Sequence, residues 1–191
     1  MILIGIGANL AGPCGASPLD TVQWAAIQLD GLLSLHIRGL SRWYKTEPVP
    51  PSDQPSYVNG VVHLAARAGA LEPEPAELLV RLQQLETRAG RVRGERNAPR
   101  TLDLDIITMG EFGQTNRLAP DPILPHPSTH TRAFVLAPLL EVAPAWVHPV
   151  SRLSGRELLA GLPAQAIEPL AEDRADFSRA RRSAGARSGD C

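Results

Sequence analysis

Asp103-Leu104-Asp105 sets two carboxylates two residues apart inside the otherwise aliphatic run from Leu102 to Ile107. On a β-strand that spacing turns both side chains to the same face. Two carboxylates side by side repel each other, and a hard cation such as Mg²⁺ converts that repulsion into attraction. Just upstream, Arg91-Val92-Arg93-Gly94-Glu95-Arg96 and then Arg100 bring four guanidinium groups toward the same point from a glycine-bounded loop. The planar guanidinium fork suits phosphate oxygens. The combination reads as a seat for a metal–polyphosphate complex, in preference to a strand end carrying two solvated acids.

The chain that must position these groups has 191 residues, enough for one well-buried domain and short for two. A formal charge of −1 offers no global attraction to nucleic acid or to an anionic membrane, so any polyanion must be held by a local cluster. Lys45 is the only lysine, so the abundance of arginine says little and its placement says more. Cys14 and Cys191 are too few and too far apart to suggest a disulfide framework or a zinc site. With no basic leader, no cleavage site and no membrane-length apolar run, the expected location is the cytoplasm.

Residues 2–8 suit a buried first strand. Gly5-Ile6-Gly7 is not read as a dinucleotide fingerprint, because the third glycine is missing and a loop follows. Ser17-Pro18 caps a first helix whose face carries Val22, Ala25, Ala26, Leu29, Leu32 and Leu33. Leu35 to Tyr44 is read as a second strand, and residues 45–57, with four prolines, as a long stiff surface loop. Val58 to Ala66 is the third strand, about 73–89 the second helix, and the Asp103–Asp105 segment the fourth strand. Gln83 and Glu86 lie near one another on the second helix, where polar residues are ordinarily a solvated flank. The order is that of an α+β, ferredoxin-like split βαβ fold: a four-stranded antiparallel sheet, both helices on one face and the other face free for a ligand. Short helices over 135–142 and 154–162 extend the core as C-terminal additions. Residues 1–167 form the expected domain, and 168–191, poor in apolar residues, the expected disordered tail.

The run Arg91-Val92-Arg93 with Ala98-Pro99-Arg100-Thr101-Leu102-Asp103-Leu104-Asp105-Ile106, together with Gln54-Pro55-Ser56-Tyr57-Val58-Asn59, Pro125-His126-Pro127 and Arg132-Ala133-Phe134-Val135-Leu136, resembles the 6-hydroxymethyl-7,8-dihydropterin pyrophosphokinase family of folate biosynthesis. The likeness covers roughly residues 2–165, and Ala8 stands where the family more often has Ser. It implies transfer of pyrophosphate from ATP to the pterin's hydroxymethyl oxygen with release of AMP, using two Mg²⁺ ions held by Asp103 and Asp105. It further implies that Arg91 and Arg100 join these aspartates in catalysis. Thr46, Val49, Tyr57, Asn59 and Phe134 would hold the pterin; Gln83, Glu86, Arg93, Arg96, His126 and Arg132 would hold ATP. The implied partners are these small molecules, with no nucleic acid and no membrane, and the implied state is a monomer. Asn97 departs from relatives that carry an aromatic in the arginine loop; that loop is about one residue shorter, and residues 111–123 form a longer segment than in compact relatives.

Two other readings compete. A ferredoxin-like module that binds RNA on its free sheet face calls for aromatics and a basic stripe, whereas aromatic content is 4% and the face carries two acids. The Asp-x-Asp pair also serves metal-dependent nucleotidyl or glycosyl transfer, which production of AMP would separate from pyrophosphoryl transfer.

Overall fold

The computed structural model describes residues 1–92 and 98–171. Expectations for Arg93, Arg96, Asn97, Cys191 and residues 172–191 lie outside the described residues. Strand β1 (Ile2–Ala8) is flanked by β5 (Asp103–Thr108) and β4 (Tyr57–Ala66), antiparallel to both. The far edge of β4 carries two short strands in succession, β2 (Leu35–Leu40) and β3 (Tyr44–Thr46), and β6 (Ile167–Pro169) pairs with β3.

The sheet therefore has six strands rather than four. One extra strand arises because the expected 35–44 strand is broken at Ser41–Trp43. Ser41 Oγ accepts the Val61 N–H at 2.9 Å, and the Trp43 ring lies over Gly60, where a Cβ would stand 2.6 Å from a ring carbon. The side chain thus takes over a ladder hydrogen bond while the indole turns into the core. The other extra strand, β6, crosses the boundary expected at residue 167. Leu170 N–H then donates to the Trp43 carbonyl at 2.8 Å, and its side chain packs on the main core.

Helix α1 (Pro18–Leu29) begins at Ser17, which forms a capping box with Asp20. Helix α2 (Pro75–Arg88) stops before Gly90, whose φ of 77° suits glycine. Both helices bury Val22, Ala26, Leu29, Leu78, Leu82 and Leu85 against Ile2, Ile4, Ile6, Val62, Leu64, Leu104 and Ile106 on one sheet face. The opposite face, expected to be free, is half covered. Helix α3 (Ala133–Val142) and α4 (Gly155–Ala160) form a second core there with Leu3, Val61, Ile107 and Trp146. Arg42 Nε donates to Glu141 Oε1 at 2.8 Å, and the Tyr44 hydroxyl donates to the same oxygen, so α3 is tied to β3. Beyond this second core the sheet face stays open, and there the acids of β5 emerge.

Candidate active site

The register of β1 against β5 sets Gly7 opposite Asp103 and Gly5 opposite Asp105. Both glycines and both aspartates line one cleft, with Ile107 at its boundary with the second core. The expectation that the two carboxylates share a face holds in the geometry. Omission of side chains on β1 is what makes room above them. At Gly7 the room is already taken, since a Cβ would stand 2.6 Å from Asn59 Oδ1 on the neighbouring strand.

The two acids differ in their company. Asp103 Oδ1 accepts from Arg91 Nη1 at 2.6 Å and pairs with Arg100 Nη1 at 3.0 Å. Asp105 meets the His126 Nε2 at 4.0 Å, and its side chain is 41% exposed toward the cleft. Burial by the surrounding protein raises the Asp105 carboxyl above its ordinary range, and the neighbouring Asp103 charge adds to the effect. His126 Nδ1 accepts the Ser128 N–H at 3.2 Å, which turns Nε2 toward Asp105.

Glu86 is no solvated flank. It is 6% exposed, its Oε1 accepts the Leu104 N–H at 2.8 Å, and the same oxygen binds Arg91 Nη1. Burial pushes its carboxyl up to about 7, against the lowering effects of the Leu104 N–H and Arg91. Glu86 therefore stands behind the cleft and holds Arg91 toward Asp103. Gln83 is half-buried on α2 and does not line the cleft.

The other wall gathers Thr46, Val49, Tyr57, Asn59 and Phe134. Thr46 belongs to the end of β3 rather than to the proline-rich loop, and it is buried; its Oγ1 accepts from Asn59 Nδ2 at 2.7 Å. The Tyr57 hydroxyl donates to Gln54 Oε1 at 2.9 Å, and Val49 is exposed on the loop above. The Arg132 guanidinium sits 5.5 Å from the centre of the Phe134 ring, joining the phosphate-side and ring-side groups at the entrance to α3.

Asn9 escaped the reading of the sequence. Its side chain is buried, donates to Gln54 Oε1 at 3.3 Å and to the Pro55 carbonyl at 3.2 Å, and accepts the Arg100 N–H at 2.8 Å. The backbone N–H groups of Asn9 and Leu10 both donate to the Arg100 carbonyl, at 3.1 and 3.2 Å. The end of β1 thus ties the proline-rich loop to the arginine segment. The available signal was a polar residue closing an apolar strand.

No group of three or more His, Cys, Asp or Glu suited to a metal occurs among the described residues. The pair nevertheless fits Mg²⁺: two hard oxygen donors on one face, one of them open to the cleft and disfavoured as a bare charge. Mg²⁺ ordinarily takes one or two carboxylates and completes its shell with water and substrate phosphates.

The family description 7,8-dihydro-6-hydroxymethylpterin-pyrophosphokinase (HPPK) matches residues 3–144. A 2-amino-4-hydroxy-6-hydroxymethyldihydropteridine pyrophosphokinase of Synechocystis sp. is 36% identical over 170 residues, 88% of this chain and 80% of the relative. The Pseudomonas aeruginosa protein of the same name is 38% identical over 169 residues, 88% of this chain and 96% of its own. Among solved structures, the Plasmodium falciparum HPPK-DHPS wild type with STZ-DHP superposes with a TM-score of 0.57 at 12% identity, over 83% of this chain and 42% of that longer chain, a likeness of fold. No helix among the described residues is long and apolar enough to cross a membrane. With three quarters of its length inside the family match, the chain belongs to the 7,8-dihydro-6-hydroxymethylpterin-pyrophosphokinase family.

Proposed function

We infer that this chain transfers the β,γ-pyrophosphoryl unit of ATP to the hydroxymethyl oxygen of 6-hydroxymethyl-7,8-dihydropterin, giving AMP and the pterin pyrophosphate for folate synthesis. The observation that carries the reading is one cleft with two unlike walls: Asp103, Asp105, Arg100, His126 and Arg132 on one, and Thr46, Tyr57, Asn59 and Phe134 on the other. One wall has the charges for a metal-bound polyphosphate and the other the apolar rings and amide for a flat heterocycle.

The pterin lies against Tyr57 and Phe134, with the Asn59 amide, steadied by Thr46, reading its edge and Val49 closing over it. ATP lies along His126, Arg132 and Arg100, with Arg93 and Arg96 from the same loop assigned to it by the family resemblance. Gln83 and Glu86 are assigned to ATP from α2 by the same resemblance, and Glu86 also holds Arg91. Asp103 and Asp105 hold Mg²⁺, two ions in this reading, which supplies charge neutralisation and polarisation of the phosphate oxygens. The pterin hydroxyl gives up its proton to solvent, its oxygen bonds to the β-phosphorus as the bond from that phosphorus to the α-phosphate oxygen breaks, and the electron pair leaves with AMP. Arg91 and Arg100 meet the charge that builds on the departing phosphate. Orientation and fixed charge, with no covalent intermediate on the protein, supply the acceleration. The catalytic unit extends through β6, past residue 167, and works as a cytoplasmic monomer.

The test is coupled detection of AMP from ATP and Mg²⁺ with and without the pterin. AMP formed only when the pterin is present, with two phosphates on the product, is expected. A product carrying a nucleotide would replace this reading with nucleotidyl transfer.

A further inference from the structure

Helix α3 enters the cleft without a cap of its own, because Arg132 occupies the N-cap position and makes no side-chain cap hydrogen bond. The first N–H groups of a helix need partners from elsewhere. The partner here comes from 32 residues further along the chain: Gln165 Oε1 accepts the Ala133 N–H at 2.9 Å. The other half of the same amide, Gln165 Nε2, donates to the Thr131 carbonyl at 3.1 Å. One planar amide therefore grips the peptide groups on both sides of Arg132.

Gln165 is itself held firmly. The Ala166 carbonyl next to it accepts the Glu47 N–H at 3.3 Å, and Ile167 pairs with Thr46 as β6 begins. Leu170 then anchors the segment through its hydrogen bond to Trp43 and the packing of its partly buried side chain against the main core. Residues 165–170 thus run from the root of Arg132, past the proline-rich wall, to the core. They lie beyond residue 144, where the family match ends.

We infer that Gln165 is a positioning residue: it fixes the backbone on either side of Arg132 so that the guanidinium is delivered to the polyphosphate side of the cleft, while the segment behind it keeps that wall in register with Thr46. The inference rests on the ATP-side role assigned to Arg132 above. An arginine has a long stem with much rotamer freedom to lose, so a pinned root lowers the cost of placing its head.

The experiment compares wild type, Gln165→Ala and Gln165→Glu in the pterin-dependent AMP assay, with Mg²⁺-ATP affinity measured separately by calorimetry and folding followed by thermal melting. Gln165→Ala is expected to raise the KM and Kd for ATP about tenfold, the scale that two ordinary hydrogen bonds support, with the pterin KM moved by less than about twofold. Gln165→Glu keeps an acceptor for Ala133 at a helix N-terminus that favours a carboxylate, and loses the donor to Thr131, so it recovers part of the ATP affinity. ATP affinity unchanged in either folded variant overturns the inference. So does a fall in kcat that tracks a lower folded fraction while both KM values stay put, which marks a role in stability alone. If Gln165→Ala does not fold, the Gln165→Glu affinity decides. Failure of wild type to release AMP on pterin addition strikes instead at the proposed function, and the calorimetric comparison still judges Gln165.

Discussion

The two sides of strand β1 face opposite demands. On the side toward α1 and α2, Ile2, Ile4, Ile6 and Ala8 are all buried and fill a core. On the other side the sequence runs Leu3, Gly5, Gly7: one aliphatic under α3, then two residues with no side chain beneath the cleft. The same seven residues thus build the fold with what they carry on one face and make the site with what they omit on the other. A glycine inside a strand costs stability, and that loss is tolerated where a backbone must lie under a ligand or a neighbour's side chain.

This contrast can be broken at several points. Asp105→Ala strikes the open face at its charge. It is expected to reduce turnover by about a thousandfold or more with a little-changed melting profile, as the metal-holding role proposed for this cleft-facing carboxylate requires. Near wild-type AMP release from that variant would remove Asp105 from the site. A paired test comes next on β1 itself. Ile6→Ala should lose about 2–5 kcal/mol in a denaturant titration while the folded enzyme keeps its KM values. Gly7→Ala, whose new methyl must push Asn59 Oδ1 from 2.6 Å, should raise the pterin KM about tenfold with a smaller loss of stability. An identical response from both variants would erase the division between the two faces.

The smallest effect concerns Glu86, a charge on the packed side of the sheet. Its folded pKa of about 7 lies above the ordinary 4.5, so the folded protein keeps a proton that the unfolded chain gives up. Its contribution is fully favourable below pH 4.5 and declines as the pH rises to about 7, by on the order of 3 kcal/mol at most. Glu86→Gln can still accept the Leu104 N–H and carries no titrating proton. Thermal melts at pH 5 and pH 8 should show a smaller drop for this variant than for wild type. An equal drop would place the pH dependence elsewhere.

Much of the open face was readable because its signals are local. The spacing of Asp103 and Asp105, the apolar run through residues 2–8 and the Ser17-Pro18 helix start each act within a few residues, and the structure keeps all three. What was missed depends on distant partners. Glu86 looks like a helix flank until Leu104, 18 residues away, presents an N–H to it. The break in the second strand needs Gly60 to receive Trp43 and Val61 to receive Ser41. Thr46 was read as loop because prolines follow it, yet pairing with Tyr57 and Ile167 makes it strand. β6 has three residues and no pattern of its own; only the β3 edge gives it a reason to extend.

That short last strand also bears on how copies of this chain behave in a crowded solution. A sheet edge with free N–H and C=O groups invites another chain to add to it. Here one edge ends in Ile167-Glu168-Pro169, with a charge at its centre and a residue that has no N–H to offer. At the opposite edge, Ile107 O already accepts the His126 N–H at 2.9 Å. Each of these two edges thus carries a feature that works against addition of a strand there: a proline and a charge on β6, and an occupied carbonyl on β5.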